Sequence, residues 1–112
     1  MKAARADKYD ALVYLHEQGA DIHVQDELPL IIGIFNQNMD IIEYLVENNA
    51  DVNVNNEHGR PLFLAVEHGS LEMVKYLVEH GADPSFNNHE STALAYDLGK
   101  WDILDYLESL EN

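Results

Sequence analysis

RPLFLAVEHGSLEMVKYLVEHGADPS, residues Arg60–Ser85, is the stretch that decides the fold. Pro61 suits the first position of a helix, where a missing N–H costs nothing. An apolar segment runs on to His68, and Gly69-Ser70 supplies a turn and an N-cap. Leu71, Val74, Leu77 and Val78 then recur at helical spacing, which predicts a second helix over 71–80. Gly81 lies just past it, where a C-terminal glycine belongs. The segment from Ala82 to Glu90, rich in Asn, Asp and Ser, predicts a turn or an extended loop. The unit is helix, turn, helix, long loop.

That unit recurs. YLHEQGAD starts at Tyr14, YLVENNAD at Tyr44, YLVEHGAD at Tyr76, and YLESLEN closes the chain from Tyr106, so the tyrosines are 30, 32 and 30 residues apart. A second phrase, LPL, RPL and TAL, centres on Pro29, Pro61 and Ala93, which are 32 apart each time. A fixed period of this size means stacked supersecondary units, each supplying the wall on which its neighbour packs. The expected architecture is an all-α repeat solenoid, a single domain over 1–112 with units at about 1–27, 28–59, 60–90 and 91–112. The first unit is expected to start inside its first helix, KAARADKYDALVYL, and whether it belongs to a longer array is left open by the sequence. The fourth is expected to lack two residues around its inter-helix turn, AYDLGKWD. Glu108 stands where Val46 and Val78 sit in the inner units, as befits a terminal capping unit with nothing to pack on. Tyr9, Met39, Leu71 and Trp101 share one repeat position and are expected to pack, half-buried, under the inter-helix turn.

Composition narrows the function. Asp and Glu number 21 against 6 Lys and Arg, a net charge of -15. Such a chain repels phosphate backbones and anionic membranes, so neither is an expected partner. With no cysteine there is no disulfide framework, thiolate metal site or Cys nucleophile. The N-terminal MKAARADKYD has no apolar signal core, and the longest apolar run, Leu28–Phe35, is about half of what a bilayer span needs. A soluble, cytoplasmic, monomeric protein is expected.

Much of the acidity is scaffold. Asp10, Asp40, Glu72 and Asp102 fall in the first turn of each second helix, where carboxylates complement the helix dipole. Glu17, Glu47 and Glu79 recur near its end, and Asp21, Asp51 and Asp83 at the loop base. The acids left over include Asp26, Glu27, Glu57 and Glu90 on the loops and Glu67 on a first helix. No Lys or Arg occurs between Tyr9 and Gly59, so that half presents a negative field that steers basic partners.

No catalytic, cofactor or metal site is expected. Carboxylate pairs need a cleft that shifts one pKa, and a small stack of helix pairs offers a shallow groove. His23, His58 and His89 fall on or near three successive loops, but no local His pair fixes a ligand geometry. No phosphate loop, nucleophile elbow or basic patch with interleaved aromatics is present.

Arg60–Ser85 resembles the ankyrin repeat almost position by position: a T-P-L-H-x-A phrase opens the first helix, G-H-L-E-V-V-K-L-L builds the second, and G-A-D-V-N leads into a β-hairpin-like finger. The resemblance covers nearly the whole chain and implies stacked helix-turn-helix units joined by short β-hairpin-like loops. It departs from the pattern in places. The capping Thr is kept only at Thr92, with Leu28 and Arg60 elsewhere, and the pattern's His is replaced by Ile31, Phe63 and Ala95. The fingers are short: Asp51 to Pro61 and Asp83 to Ala93 span ten residues and Asp21 to Pro29 eight, so the first is open to being a tight turn.

The resemblance implies a protein–protein interaction module that binds through finger tips and the exposed positions of the first helices, which line a concave face. Those helix positions map to Arg5 and Ala6, Phe35 and Asn36, and Glu67 and His68; the tips map to Gln25, Asp26, Asn55, Asn56, Glu57, Asn87, Asn88 and His89. Two placements are open to Phe35, an outward-facing anchor or a ring folded down onto Ile31. The expected partner is a protein with a basic or mixed-charge surface. Two alternatives stand beside it: an acidic, immunity-type inhibitor that blocks a basic nucleic-acid enzyme or toxin, and a non-binding slice of a longer or engineered array. The resemblance also implies a modification site, since Asp51-Val52-Asn53 with Leu45 eight residues earlier fits the substrate pattern of an asparaginyl hydroxylase acting on Asn53.

Overall fold

The computed structural model describes residues 2–110, and side chains from residue 8 onward. Its helices are α1 (Lys2–Glu17), α2 (Val24–Phe35), α3 (Met39–Glu47), α4 (Pro61–His68), α5 (Leu71–Glu79), α6 (Phe86–Leu98) and α7 (Trp101–Ser109). The described residues contain no strand beyond one isolated bridge, Asn56 to Gly59. α2, α4 and α6 pack side by side in one row, each backed by its partner α3, α5 or α7 in a second row. The stack measures 43 × 28 × 23 Å.

Local chemistry sets the helix ends. Pro61 opens α4, and the Asn38 and Ser70 side chains cap α3 and α5 by accepting from the Ile41 and Met73 N–H groups at 3.3 Å. After α1, α3 and α5 the chain turns through a left-handed residue: Gly19, Asn49 and Gly81 have φ of 95°, 76° and 107°. The apolar face of each pair closes the core. Leu30, Ile31, Ile34, Ile42, Leu45, Ala65, Val66, Val74 and Leu77 are fully buried. Val46 and Val78 pack against this core, whereas Glu108 is exposed.

The first expected unit is not a helix pair. α1 is one unbroken helix that packs on α3. Ala, Lys, Arg and Leu are strong helix formers, and no Gly, Ser or Pro interrupts residues 2–17.

The fingers also differ from expectation. Only the middle one closes like a hairpin, through the Asn56–Gly59 bridge. In the first, Gln25, Asp26 and Glu27 are left-handed (φ 53°, 55°, 65°), giving a tight turn. In the third, Asn87, Asn88 and His89 do the same (φ 52°, 58°, 61°). Two residues beyond the triplet lie Pro29 in one case and Ser91 in the other. Ser91, not Ala93, therefore takes the place of Pro61; Ser91 and Pro61 are both buried, and Ala95 and Ala65 are each 0% exposed. The two missing residues belong to the third finger, not to the turn between α6 and α7. The expected 32-residue spacing to Ala93 is a coincidence of the TAL phrase. Thr92 consequently lies within the helix, matching Leu62, and caps nothing: its Oγ1 is buried and makes no hydrogen bond.

Polar joints tie successive pairs. Asn53 donates through Nδ2 to the Gly81 carbonyl and accepts through Oδ1 from the Asp83 N–H, both at 2.8 Å. One repeat earlier the same work falls to two residues. His23 Nε2 meets the Asn48 carbonyl at 2.9 Å, His23 Nδ1 meets Glu27 Oε1 at 2.7 Å, and Glu27 Oε2 accepts from the Asp51 N–H at 2.7 Å. The C-terminus of α4 is held from both sides. Gln37 Nε2 donates to the His68 carbonyl at 2.7 Å, and Lys100 Nζ to the Val66 and Glu67 carbonyls at 2.7 and 2.9 Å. A cation there also opposes the negative end of the helix dipole.

Candidate protein-binding surface

Phe35 ends α2 and is 41% exposed. Its ring stays at the surface, flanked by two histidines. The His68 ring lies 4.9 Å away at 64° and the His58 ring 6.2 Å away at 85°, both edge-to-face. His68 Nε2 is 3.2 Å from Glu67 Oε1. Phe35, Glu67 and His68, foreseen from two repeat positions in successive units, thus meet in one cluster at the ends of α2 and α4. Asn36, the C-cap of α2, is exposed beside it. His58 was not foreseen as a contact. It brings the middle finger onto Phe35, and its sequence signal was its place, with His23 and His89, on one of three successive loops. The side chains of Arg5 and Ala6 lie outside the described residues.

The finger tips divide into contacts and struts. Gln25, Asp26, Asn55, Glu57, Asn87 and Asn88 are exposed, and His89 is half-buried. Asn56, expected as a contact, is only 5% exposed. Its Nδ2 donates to the Gln25 and Asp26 carbonyls at 3.2 and 2.9 Å, and its Oδ1 accepts from the His58 N–H at 2.9 Å. One amide therefore steadies the left-handed turn of the first finger and aims His58. Between these tips lies a polar cleft of about 310 Å³, lined by Gln25, Asp26, Leu28, Asn56, Glu57 and His58.

In the third finger, Asp83 accepts from the Ser85 hydroxyl and N–H at 2.7 and 2.9 Å. These bonds hold its carboxyl below the ordinary carboxylate value, against a small opposing effect of burial and with help from His89 and Arg60. The Arg60 guanidinium lies 3.6 Å from the centre of the Phe86 ring.

Trp101 does not pack under its turn as expected. It is 58% exposed and meets Tyr96, itself 63% exposed, edge-to-face at 5.9 Å. Among the described residues, no three His, Asp or Glu groups are placed to hold a metal ion. His23 is committed to Glu27 and Asn48, and His58 sits against Phe35, so the loop histidines do not converge. No described helix is long and apolar enough to cross a membrane.

A family model described as ankyrin repeats, in three copies, matches residues 1–88. The chain belongs to the ankyrin repeat family. No curated protein matches it. Ankyrin repeats are generally protein–protein interaction modules and typically not enzymes. In this ankyrin chain the Phe35 cluster and the first two finger tips lie within the matched residues. Asn53, the residue of the hydroxylase pattern, has both polar atoms of its side-chain amide engaged in the joint to Gly81 and Asp83.

Proposed function

We propose that this ankyrin chain binds a protein with a basic or mixed-charge surface, through the cluster around Phe35 and the exposed finger tips. The observation that carries the reading is the half-exposed Phe35 ring set between His58 and His68, with Glu67 alongside. An aromatic anchor of this kind, rimmed by polar groups, is the usual centre of a protein contact. Glu67, Glu57 and Asp26 serve as charge complements; Asn36, Asn55, Asn87 and Asn88 serve as hydrogen-bonding groups at the rim. The net charge of -15 supports a basic partner and, by like-charge repulsion, a monomer.

The test is affinity capture from source-cell lysate with the native chain and a Phe35→Ala, Glu67→Arg variant. A protein retained by the first and lost by the second names the partner and supports the surface. Identical captures sink the assignment.

A further inference from the structure

The joint at His23 differs in kind from the joint at Asn53. A neutral amide carries both a donor and an acceptor, so Asn53 satisfies the Gly81 carbonyl and the Asp83 N–H without any change of charge. His23 faces an acceptor on each side: the Asn48 carbonyl at Nε2 and the Glu27 carboxylate at Nδ1. Both bonds form only when both ring nitrogens carry a proton. Neutral histidine carries one, and whichever nitrogen keeps it, the other turns a lone pair on an oxygen. Glu27 is itself nearly buried, with its side chain 9% exposed and its second oxygen held by the Asp51 N–H, so it cannot simply turn to water.

We propose that the His23–Glu27 pair is a proton-operated latch, which closes the joint between α1 with its finger and the α2–α3 pair when His23 is charged and slackens it when His23 is neutral. The groups facing His23 all favour the closed form. Glu27 lies on its own element; Asp21 accepts from the His23 N–H at 2.8 Å; and the Asn48 carbonyl lies at the negative end of α3. Burial alone would lower the His23 pKa, but the bonds to Glu27 and Asn48 and the charges of Glu27 and Asp21 outweigh it and raise the value above 6.5. A raised folded value fixes the sign. The latch contributes fully below 6.5, the unfolded value, and its contribution is lost as the pH rises through the folded value. The inference is independent of the partner proposed above.

The decisive variant is Glu27→Gln. A glutamine can donate to neutral His23 Nδ1 while its carbonyl accepts from the Asp51 N–H, and His23 Nε2 keeps its proton for Asn48. The substitution should turn the latch over, so that it is complete at pH 8 and disturbed at pH 5.5. Native-state amide exchange of α1, corrected for intrinsic rates and referred to α5, reads the joint; ring ¹⁵N shifts read the protonation of His23. In the native chain, α1 should open about tenfold more often at pH 8 than at pH 5.5, the effect of one bond to a charged group. In Glu27→Gln that change should vanish or reverse. His16, whose Nδ1 meets Tyr44 Oη at 2.5 Å, is another histidine linking α1 to α3, and the substitution leaves it untouched. A dependence that survives Glu27→Gln therefore belongs elsewhere and overturns the proposal, as does pH-independent opening in the native chain. Should Glu27→Gln not fold, His23→Asn, which copies the Asn53 joint, must lose the dependence for the proposal to stand.

Discussion

Asn53 and Asp83 are joined at 2.8 Å across two successive helix pairs, the Asp83 N–H donating to Oδ1 while Nδ2 of the same amide reaches Gly81. Replacing Asn53 with Ala removes both bonds and leaves a carbonyl and an N–H to find water. The expected loss is about 1–3 kcal/mol, read as a lower urea midpoint with an unchanged slope. Asn53→Asp keeps the acceptor and loses the donor, and should fall between the two. If Asn53→Ala unfolds with the native midpoint, the joint contributes nothing to stability.

Tyr44 and Tyr76 occupy one repeat position but have opposite fates. Tyr44 Oη meets His16, whereas Tyr76 Oη is buried without a hydrogen bond. Tyr76→Phe should therefore be neutral or stabilising, by up to about 1 kcal/mol, and Tyr44→Phe should cost about 0.5–1.5 kcal/mol. Thermal unfolding of the two variants decides it, and the reverse order would refute the assignment. Burial first, then Glu47 and Glu43, raises the Tyr76 phenol above 10; burial and neighbouring charges act the same way on Tyr44 and Tyr106. Above pH 10 the unfolded chain releases these protons first, so stability should fall as the pH rises through that range.

Asn49 holds φ at 76° where the matching residues are Gly19 and Gly81. Asparagine tolerates this region better than most residues, but glycine adopts it at no steric cost. Asn49→Gly should gain a few tenths of a kcal/mol, and Gly81→Ala should lose about 1 kcal/mol. Chemical denaturation of the pair tests both signs.

The placement of Thr92 can be tested by one substitution. A capping threonine loses about 1 kcal/mol on replacement. A threonine within the helix whose hydroxyl is buried and unpaired gains from Thr92→Val, by about 1 kcal/mol. A midpoint shift to higher urea supports the shortened third finger; a shift to lower urea restores the cap and the longer finger.

The two-helix rhythm was legible because burial follows it: of Leu71, Val74, Leu77 and Val78, chosen from spacing alone, Val74 and Leu77 are fully buried and the other two pack against the core. So were the ends of α4 and α5, whose Pro61, Ser70 and Gly81 act locally. The register of α6 was hidden. Its finger and its inter-helix turn are both polar, so a two-residue deficit fits either place, and Thr92-Ala93-Leu94 imitates the phrase that should start two residues earlier. What settles it is burial of Ser91 and Ala95, which depends on α4. The setting of Phe35 was hidden for a similar reason. The period brings His68 to the same face, but His58 reaches Phe35 from a finger 23 residues away, with no period to betray it. Asn56 read as a tip residue because its partners are backbone carbonyls, which leave no mark in the side-chain pattern.

Gln37 and Lys100 reach the C-terminal carbonyls of α4 from opposite neighbours. The middle helix thus has its end finished by side chains that it does not own. Excised with its partner α5, it would lose both donors at once, so the α4–α5 segment is expected to be unable to fold alone. Melting should therefore proceed inward from the ends like a zipper, and the last cooperative step should release α4 together with whichever neighbour still grips it.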